Sequence, residues 1–217
     1  RVLYHWRVHS ASTADNPASK LYAYEAGKKA IEGNLARCGE EGTVTLRSDY
    51  GFYDVDYKLR GTPLVSILIP NKDQADTLRT CLESIKKKCM YPSYEILIIE
   101  NNSTEEATFS YYQELEAQGI RVLKYPKQGF NYSAINNFGV KEAKGEYLLF
   151  LNNDMEIITP DFMEKMVSNL QRPQIGAVGA KLYYPDNTVQ HAGIIIGIGG
   201  NTGPPLFRPG RGRKGDP

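Results

Sequence analysis

The sequence lacks the long apolar run of a membrane-spanning helix, because no hydrophobic stretch approaches about 20 residues. It has only three cysteines, Cys38, Cys81 and Cys89, and no C-x-x-C pair, so a structural disulfide is not expected and a reducing compartment is favoured. It also lacks an excess of charge, since 26 Lys and Arg stand against 25 Asp and Glu and leave a net charge of +1. No global field therefore draws the chain to nucleic acid, and a nucleic-acid partner is not expected.

The Gly-rich loops that often bind phosphate groups are missing as well. No G-x-x-x-x-G-K-[ST] loop occurs. The stretch GIGGNTG at 197–203 looks like a dinucleotide fingerprint, but Pro204 and Pro205 follow it directly, so no helix can begin there to hold a pyrophosphate. The sequence therefore offers neither of these two phosphate-binding motifs.

The residues that are present change in character near residue 62. Residues 1–62 predict a small N-terminal α+β extension, with a helix that begins near Leu21 and stops at Gly39, followed by strands at TVTLRSD and FYDVDYKLRG. Residues 63–203 predict one α/β domain, and the Gly- and Pro-rich residues 204–217 predict a flexible tail. We expect the chain to be a piece of a longer protein in which the α/β domain is truncated.

From residue 64 onward, strand patterns alternate with helical patterns. The predicted strands are 64–69, 94–100, 120–125 and 146–151, with later candidates at 175–184 and 188–197. The predicted helices are 75–88, 105–118, 132–143 and a last one ending near 170, whose start signal is Thr159 as the cap and Pro160 at the first position. This alternation is typical of a parallel sheet with covered faces, and the run EYLLFL at 146–151 reads as a fully buried strand.

Candidate ligand contacts, nearly all of them polar, follow each of the first four predicted strands at its carboxyl end, where open α/β sheets bind ligands. In chain order they are Pro70, Asn71, Lys72 and Asp73; Glu100, Asn101, Asn102 and Ser103; Asn131 and Ser133; and Asn152, Asn153, Asp154 and Glu156. Each group alone is equally well explained as a turn or a helix cap. Together, at one edge of a sheet, they predict a site for a polar ligand.

Asp154 is the candidate metal ligand among these residues. Carboxylate oxygen suits Mg²⁺ or Mn²⁺, and Mg²⁺ is usually held by one or two carboxylates together with substrate phosphates. A single Asp at a strand end with neighbouring amides fits that arrangement. It fits a structural Ca²⁺ site poorly, because too few carboxylates lie close in the sequence.

Four segments of the sequence resemble family 2 glycosyltransferases with the GT-A fold, a Rossmann-like, mostly parallel sheet with flanking helices. They are VSILIP at 65–70, YEILIIENNST at 94–104, GEYLLFLNNDMEIITPDF at 145–162 and VGAKLYYPDNTVQHAG at 178–193. The resemblance covers about residues 62–203 and is greatest to bacterial rhamnosyltransferase-like enzymes of cell-surface polysaccharide synthesis. It implies a hexosyltransferase that moves a sugar from a UDP- or dTDP-linked donor to a glycan acceptor.

The resemblance also implies roles for individual residues. The first two strand ends would hold the nucleoside, with Asn101 facing the base where many members have Asp. The family's D-x-D motif corresponds to Asn152-Asn153-Asp154, so Asp154 would bind Mg²⁺ or Mn²⁺, Asn152 would contact ribose or sugar, and Glu156 is a weaker metal candidate. Asn136 stands where many members have Arg, which leaves phosphate neutralisation to the metal or to Lys72.

The mechanism implied is inverting transfer, in which the metal stabilises the leaving nucleoside diphosphate and a carboxylate deprotonates the acceptor. That general base is expected beyond residue 217, so this chain would be the donor-binding half of the enzyme. Residues 1–62 resemble the end of a preceding transferase module plus a linker; the alternative is a family-specific extension. We expect a cytoplasmic protein, held at the inner face of the membrane through other parts of its parent.

Two other functions remain open from the sequence. A sugar nucleotidylyltransferase shares the sheet and the metal-binding Asp, but PNKDQADTLR lacks the glycines that usually follow its first strand. A non-catalytic nucleotide- or carbohydrate-binding module is the other alternative, because asparagines occupy positions where carboxylates are common.

Overall fold

The computed structural model describes residues 3–5, 20–48, 51–197 and 202–203. The chain divides into two compact units, residues 1–59 and 60–217, each of which is described by itself. The predicted tail at 204–217 lies outside the described residues.

The N-terminal unit contains helix α1 (Leu21–Cys38) and the antiparallel strands β1 (Gly42–Leu46) and β2 (Tyr53–Tyr57). Gly39 ends the helix in the left-handed conformation, at φ 67°, and its N–H donates to the Ala36 carbonyl at 3.2 Å. The predicted helix, its glycine stop and both strands are confirmed.

The C-terminal unit is built on four parallel strands: β3 (Val65–Asn71), β4 (Tyr94–Glu100), β5 (Arg121–Lys124) and β6 (Tyr147–Phe150). Their order in the sheet is β5-β4-β3-β6. The helices between and after them are α2 (Ala75–Lys88), α3 (Glu106–Ala117), α4 (Tyr132–Glu142) and α5 (Phe162–Leu170). The predicted α/β fold with a parallel sheet and flanking helices is confirmed.

Helix α4 packs closely on the middle of the sheet. Its residue Ile135 joins a buried core cluster with Leu68 of β3 and Ile99 of β4. Gly139 permits this approach, because a Cβ at that position would collide with the Ile99 side chain. The helix thereby fixes one face of the two central strands.

Strand β6 departs from the prediction of a fully buried strand. Leu148 and Phe150 are 36% and 48% exposed. They are in register with Ser66 and Leu68 of β3, on the sheet face that carries the α4 core cluster, but β6 lies at the edge of the sheet. An edge position therefore leaves alternate side chains of this apolar run in solvent.

The start of α5 also differs from the prediction. The helix begins at Phe162 with Asp161 at the N-cap position, and no side chain caps it. The carbonyl of Pro160 accepts a hydrogen bond from the Met90 N–H at 3.2 Å, so it is not used within the helix. Thr159 and Pro160 therefore form the turn before the helix rather than its cap and first residue.

The later strand candidates reduce to short pieces. Strands β7 (Leu182–Tyr183) and β8 (Val189–His191) form an antiparallel pair around a turn at Asn187, where φ is 63°. Strands β9 (Ile195–Ile196) and β10 (Thr202–Gly203) form a second such pair. Within the described ranges, no helix combines the length and apolar character needed to cross a membrane.

Candidate functional site

The carboxyl ends of the central strands lie side by side. Asn71 of β3 is paired in register with Glu100 of β4, and the Asn101 N–H extends this pairing with a 2.8 Å bond to the Asn71 carbonyl. Because all four strands are parallel, the loops that follow them leave from the same edge of the sheet. The fold thus brings the predicted polar groups to one edge.

Asn71 is buried, at 2% exposure, and its side chain connects three segments. Its Nδ2 donates to the Tyr112 hydroxyl at 2.7 Å and to the Asp73 carbonyl at 3.0 Å. Its Oδ1 accepts from Asn153 Nδ2 at 2.7 Å. Both N–H groups of this amide are therefore used inside the protein.

Asp73 caps helix α3 from the neighbouring loop. Its Oδ1 accepts from the backbone N–H groups of Thr104 at 2.7 Å and Glu105 at 3.0 Å. These bonds hold the pKa of the Asp73 carboxyl below its usual range, and the positive charge of Lys72 acts in the same direction. The exposed Lys72 ammonium remains at the edge of the site.

The end of β4 combines a used carboxylate with an unused amide oxygen. Glu100 is 4% exposed and accepts a hydrogen bond from the Ser103 N–H. Asn101 is also 4% exposed, but its Oδ1 has no hydrogen-bond partner in the part of the chain that the structure describes. Buried side-chain oxygens without partners are uncommon, and this one, at the carboxyl edge of a parallel sheet, could accept a hydrogen bond from a ligand N–H.

Asn102 ties the loop after β5 to the end of β4. Its Nδ2 donates to the Lys127 carbonyl at 3.1 Å, and its Oδ1 accepts from the Gly129 N–H at 3.0 Å. The residue itself is in the left-handed conformation, with φ 59°. Its side chain therefore positions the third loop relative to the second.

The polar residues at the start of α4 have unequal surroundings. Asn131 caps the helix, since its Oδ1 accepts from the Ala134 N–H at 3.0 Å. Ser133 is exposed. Asn136 is 5% exposed and donates to the Tyr132 carbonyl at 2.9 Å, while its Oδ1 has no partner within the described ranges.

The segment Asn152-Asn153-Asp154 follows β6. Asn152 and Asp154 are exposed, whereas Asn153 is half-buried and bonded to Asn71. The Cys81 thiol of α2 donates to the Asn152 carbonyl at 3.8 Å. Burial is the main cause that raises the pKa of Cys81 to about 11, and the nearby Asp154 carboxylate adds to it, so this thiol stays protonated.

Glu156 is directed to a different partner. Its carboxylate forms an ion pair with Lys88, at the end of α2, with an Nζ–Oε1 distance of 3.2 Å. The same ammonium donates to the Ile157 carbonyl at 2.7 Å. A metal at Asp154 would have to compete with Lys88 for Glu156.

The donor set fits a cation that is shared with phosphate oxygens. No cluster of three or more His, Cys, Asp or Glu suitable for a metal occurs among the described residues. Asp154 is exposed and makes no ion pair within those ranges, so its carboxylate is available to Mg²⁺ or Mn²⁺. One protein carboxylate suits an ion that keeps waters and binds a diphosphate, but not a closed protein site.

Tyr112 of α3 was missed from the sequence. Its aromatic ring at a helical position is typical of core packing, and it is indeed 4% exposed. Its hydroxyl, however, contacts Asn71 Nδ2 and lies 3.4 Å from Ser103 Oγ. Nothing local in the sequence indicates a contact between residues 41 positions apart.

Comparison with known proteins agrees with this arrangement. The family model described as "Glycosyl transferase family 2" matches residues 66–211. The chain is 45% identical over 206 residues to the "O-antigen biosynthesis protein RfbC" of Myxococcus xanthus, covering 95% of this chain and 16% of that protein. It is 43% identical over 206 residues to the "Uncharacterized protein y4gI" of Sinorhizobium fredii, covering 94% of this chain and 23% of that protein.

A solved structure shares the fold at low sequence identity. It is the mannosyltransferase PcManGT from Pyrobaculum calidifontis in complex with GDP-Man and Mn²⁺, which superimposes with a TM-score of 0.50 at 18% identity. The match covers 77% of this chain and 46% of that one. The chain thus spans less than a quarter of the length of the two relatives, and it belongs to glycosyl transferase family 2, with a glycosyltransferase domain of the GT-A fold.

Proposed function

We propose that the C-terminal unit binds the nucleotide-diphosphate sugar of an inverting, metal-dependent glycosyltransferase. The observation that carries this proposal is the buried, unpartnered Oδ1 of Asn101 at the edge where the four strand ends meet. An acceptor that is already desolvated gains most from a ligand that brings an N–H group. The family membership supplies the reaction class.

The base would be recognised by Asn101. Uracil and thymine both present a ring N–H that a carbonyl oxygen can accept, so UDP- and dTDP-linked donors suit this position. Asn102 would hold the loop after β5 beside the base through its bonds to Lys127 and Gly129. Ser103 and Glu100 would keep the loop after β4 in shape rather than contact the donor.

The diphosphate would be neutralised from two sides. Lys72 is an exposed cation at the end of β3, and Asp154 would hold Mg²⁺ or Mn²⁺ at the end of β6. When bound, such an ion stabilises the charge that develops on the leaving diphosphate. Asn152, exposed beside Asp154, would contact the ribose or the sugar.

The acceptor is proposed to be a growing cell-surface glycan. The relative from Myxococcus xanthus is described as an O-antigen biosynthesis protein, which supports a polysaccharide acceptor for the longer protein. We place the activity in the cytoplasm, at the inner face of the membrane. No general base is assigned to the described residues.

Calorimetric titration of the 217-residue chain tests the donor site. UDP and dTDP are titrated with Mn²⁺ and again with EDTA, into the wild type and Asp154→Asn. We expect binding that weakens about tenfold or more without metal and an Asp154→Asn variant that no longer responds to Mn²⁺. The matched control is Glu116→Gln, which also removes an exposed carboxylate. Glu116 lies at the C-terminal end of α3, just before β5 begins, and therefore near the amino ends of the strands rather than their carboxyl ends.

The outcomes separate the candidate functions. Nucleotide binding that ignores both EDTA and Asp154→Asn would favour a metal-independent binding module and contradict the metal site. Turnover of a nucleoside triphosphate with a sugar 1-phosphate would favour a nucleotidylyltransferase. Absence of any binding to the folded chain would contradict the donor site on this unit.

A further inference from the structure

A series of side-chain hydrogen bonds runs from α3 to the segment that carries Asp154. The Tyr112 hydroxyl accepts from Asn71 Nδ2 at 2.7 Å, and Asn71 Oδ1 accepts from Asn153 Nδ2 at 2.7 Å. Tyr112 and Asn71 are 4% and 2% exposed. These hydrogen bonds therefore link a helix, a strand end and the loop after β6 directly, from side chain to side chain.

The orientation of each amide in this series is determined by its neighbours. The Asp73 carbonyl can only accept, so the Asn71 atom 3.0 Å from it must be the Nδ2 donor. Asn71 Oδ1 then faces the loop after β6, and Asn153 must present its own Nδ2. The side-chain oxygen of Asn153, the residue just before Asp154, is consequently turned away from Asn71.

The Tyr112 hydroxyl satisfies the second N–H of the Asn71 amide and so helps to hold that amide in place. Its oxygen accepts one N–H of Asn71, which frees its own proton for an acceptor, and Ser103 Oγ lies 3.4 Å away. Ser103 Oγ in turn accepts from the Asp73 N–H at 2.9 Å. The loops after β3 and β4 are thereby joined to the same hydroxyl.

We propose that Tyr112 is a positioning residue for the metal-binding carboxylate. Acting through Asn71 and Asn153, it fixes the loop after β6 so that Asp154 lies ready for a cation shared with a nucleoside diphosphate. This inference rests on the donor site proposed above. Asp154 itself makes no ion pair or hydrogen bond among the described residues, so its position depends on how its neighbours are held.

The test compares two tyrosines that are adjacent on α3. Tyr112→Phe removes the hydroxyl that bonds to Asn71. Tyr111→Phe makes the same change in a residue that is equally buried, at 4% exposure, but whose ring packs against the Arg79 guanidinium at 4.0 Å. Each protein is titrated with UDP and dTDP in EDTA and in increasing Mn²⁺, and its melting temperature is recorded.

We expect Tyr112→Phe to lose about fivefold in its apparent affinity for Mn²⁺ in the presence of nucleotide, because one hydrogen bond that helps to hold the segment before Asp154 is removed. Its nucleotide affinity in EDTA should stay at the wild-type value, as should both affinities of Tyr111→Phe. A positioning role predicts this split, whereas a purely structural role predicts that nucleotide affinity in EDTA and melting temperature fall together.

A double-mutant cycle tests the route through Asn153. Asn153→Ala removes the hydrogen bond between Asn153 and Asn71, so adding Tyr112→Phe to it should cost no further Mn²⁺ affinity. Losses that multiply would show that Tyr112 does not act through Asn153 and would overturn the inference.

Two further results would overturn it in recognisably different ways. If the wild type gains nothing from Mn²⁺, the proposed metal site itself fails. If the wild type gains but Tyr112→Phe equals it, the donor site stands and only the positioning role of Tyr112 is wrong.

Discussion

The unpartnered oxygen of Asn101 predicts that one substitution will change stability and binding in opposite directions. Asn101 is 4% exposed, and its Oδ1 lacks a hydrogen-bond partner among the described residues. A buried polar group without a partner costs about 1–3 kcal/mol of folding free energy. Leucine is similar in size and has no polar atom. We expect Asn101→Leu to raise the free energy of unfolding by about 1 kcal/mol after the cost of imperfect packing.

Two assays on the same protein measure the two effects. A gain of about 1 kcal/mol corresponds to a melting temperature about 2–4 °C higher in a domain of this size, which circular dichroism can follow. Loss of one hydrogen bond to the base, at about 1 kcal/mol, weakens UDP binding about fivefold by calorimetry. The companion variant Asn101→Asp keeps an acceptor but buries a charge beside Glu100, so it should retain binding and lose stability.

The opposite pattern would refute the reasoning. If Asn101→Leu melts at a lower temperature and binds UDP as the wild type does, the oxygen is already satisfied in the free protein. It would then be a structural group, and the base would be recognised elsewhere.

Two further predictions concern stability. The pKa of Asp73 is lowered on folding, so the stability that this carboxylate contributes is fully present above its unfolded pKa of about 3.9 and is lost as pH falls through the folded value. Below about pH 4, the melting temperature of the wild type should therefore fall more steeply than that of Asp73→Asn. Parallel curves would contradict the cap on α3. Gly139→Ala should lower the free energy of unfolding, measured in urea, by about 1 kcal/mol, because overpacking against Ile99 costs about 1–3 kcal/mol and better helix propensity returns about 1 kcal/mol. The control is Gly33→Ala on α1, where the added Cβ meets only the Arg37 side chain, and it should be neutral or stabilising.

The sequence was sufficient to predict the sheet and its helices because apolar periodicity is a local signal. Strand β4 and helix α2 have the predicted bounds, and Gly39 stops α1 as expected. The errors have non-local causes. Thr159 does not cap α5, which begins at Phe162, and the Pro160 carbonyl instead accepts from the Met90 N–H, some 70 residues earlier in the chain.

The candidate site was predictable as a location but not as a set of contacts. Strand ends reveal which polar residues share an edge, and that grouping is what the fold produces. They do not reveal which carboxylate is used internally, as Asp73 is by the N-terminus of α3. They also do not reveal Tyr112, whose ring predicts a core residue and whose hydroxyl takes part in the polar network.

The side chain of Asn102 takes the place of a peptide group. It offers one donor to Lys127 and one acceptor to Gly129, as the backbone of an adjacent strand would, just beyond the point where β4 and β5 stop pairing. A backbone hydrogen bond is lost by substitution only where proline replaces the donor residue, whereas a side-chain amide can be exchanged for many other side chains in one step. The conformation of the loop after β5 can therefore diversify during evolution while the four-stranded sheet beneath it stays the same.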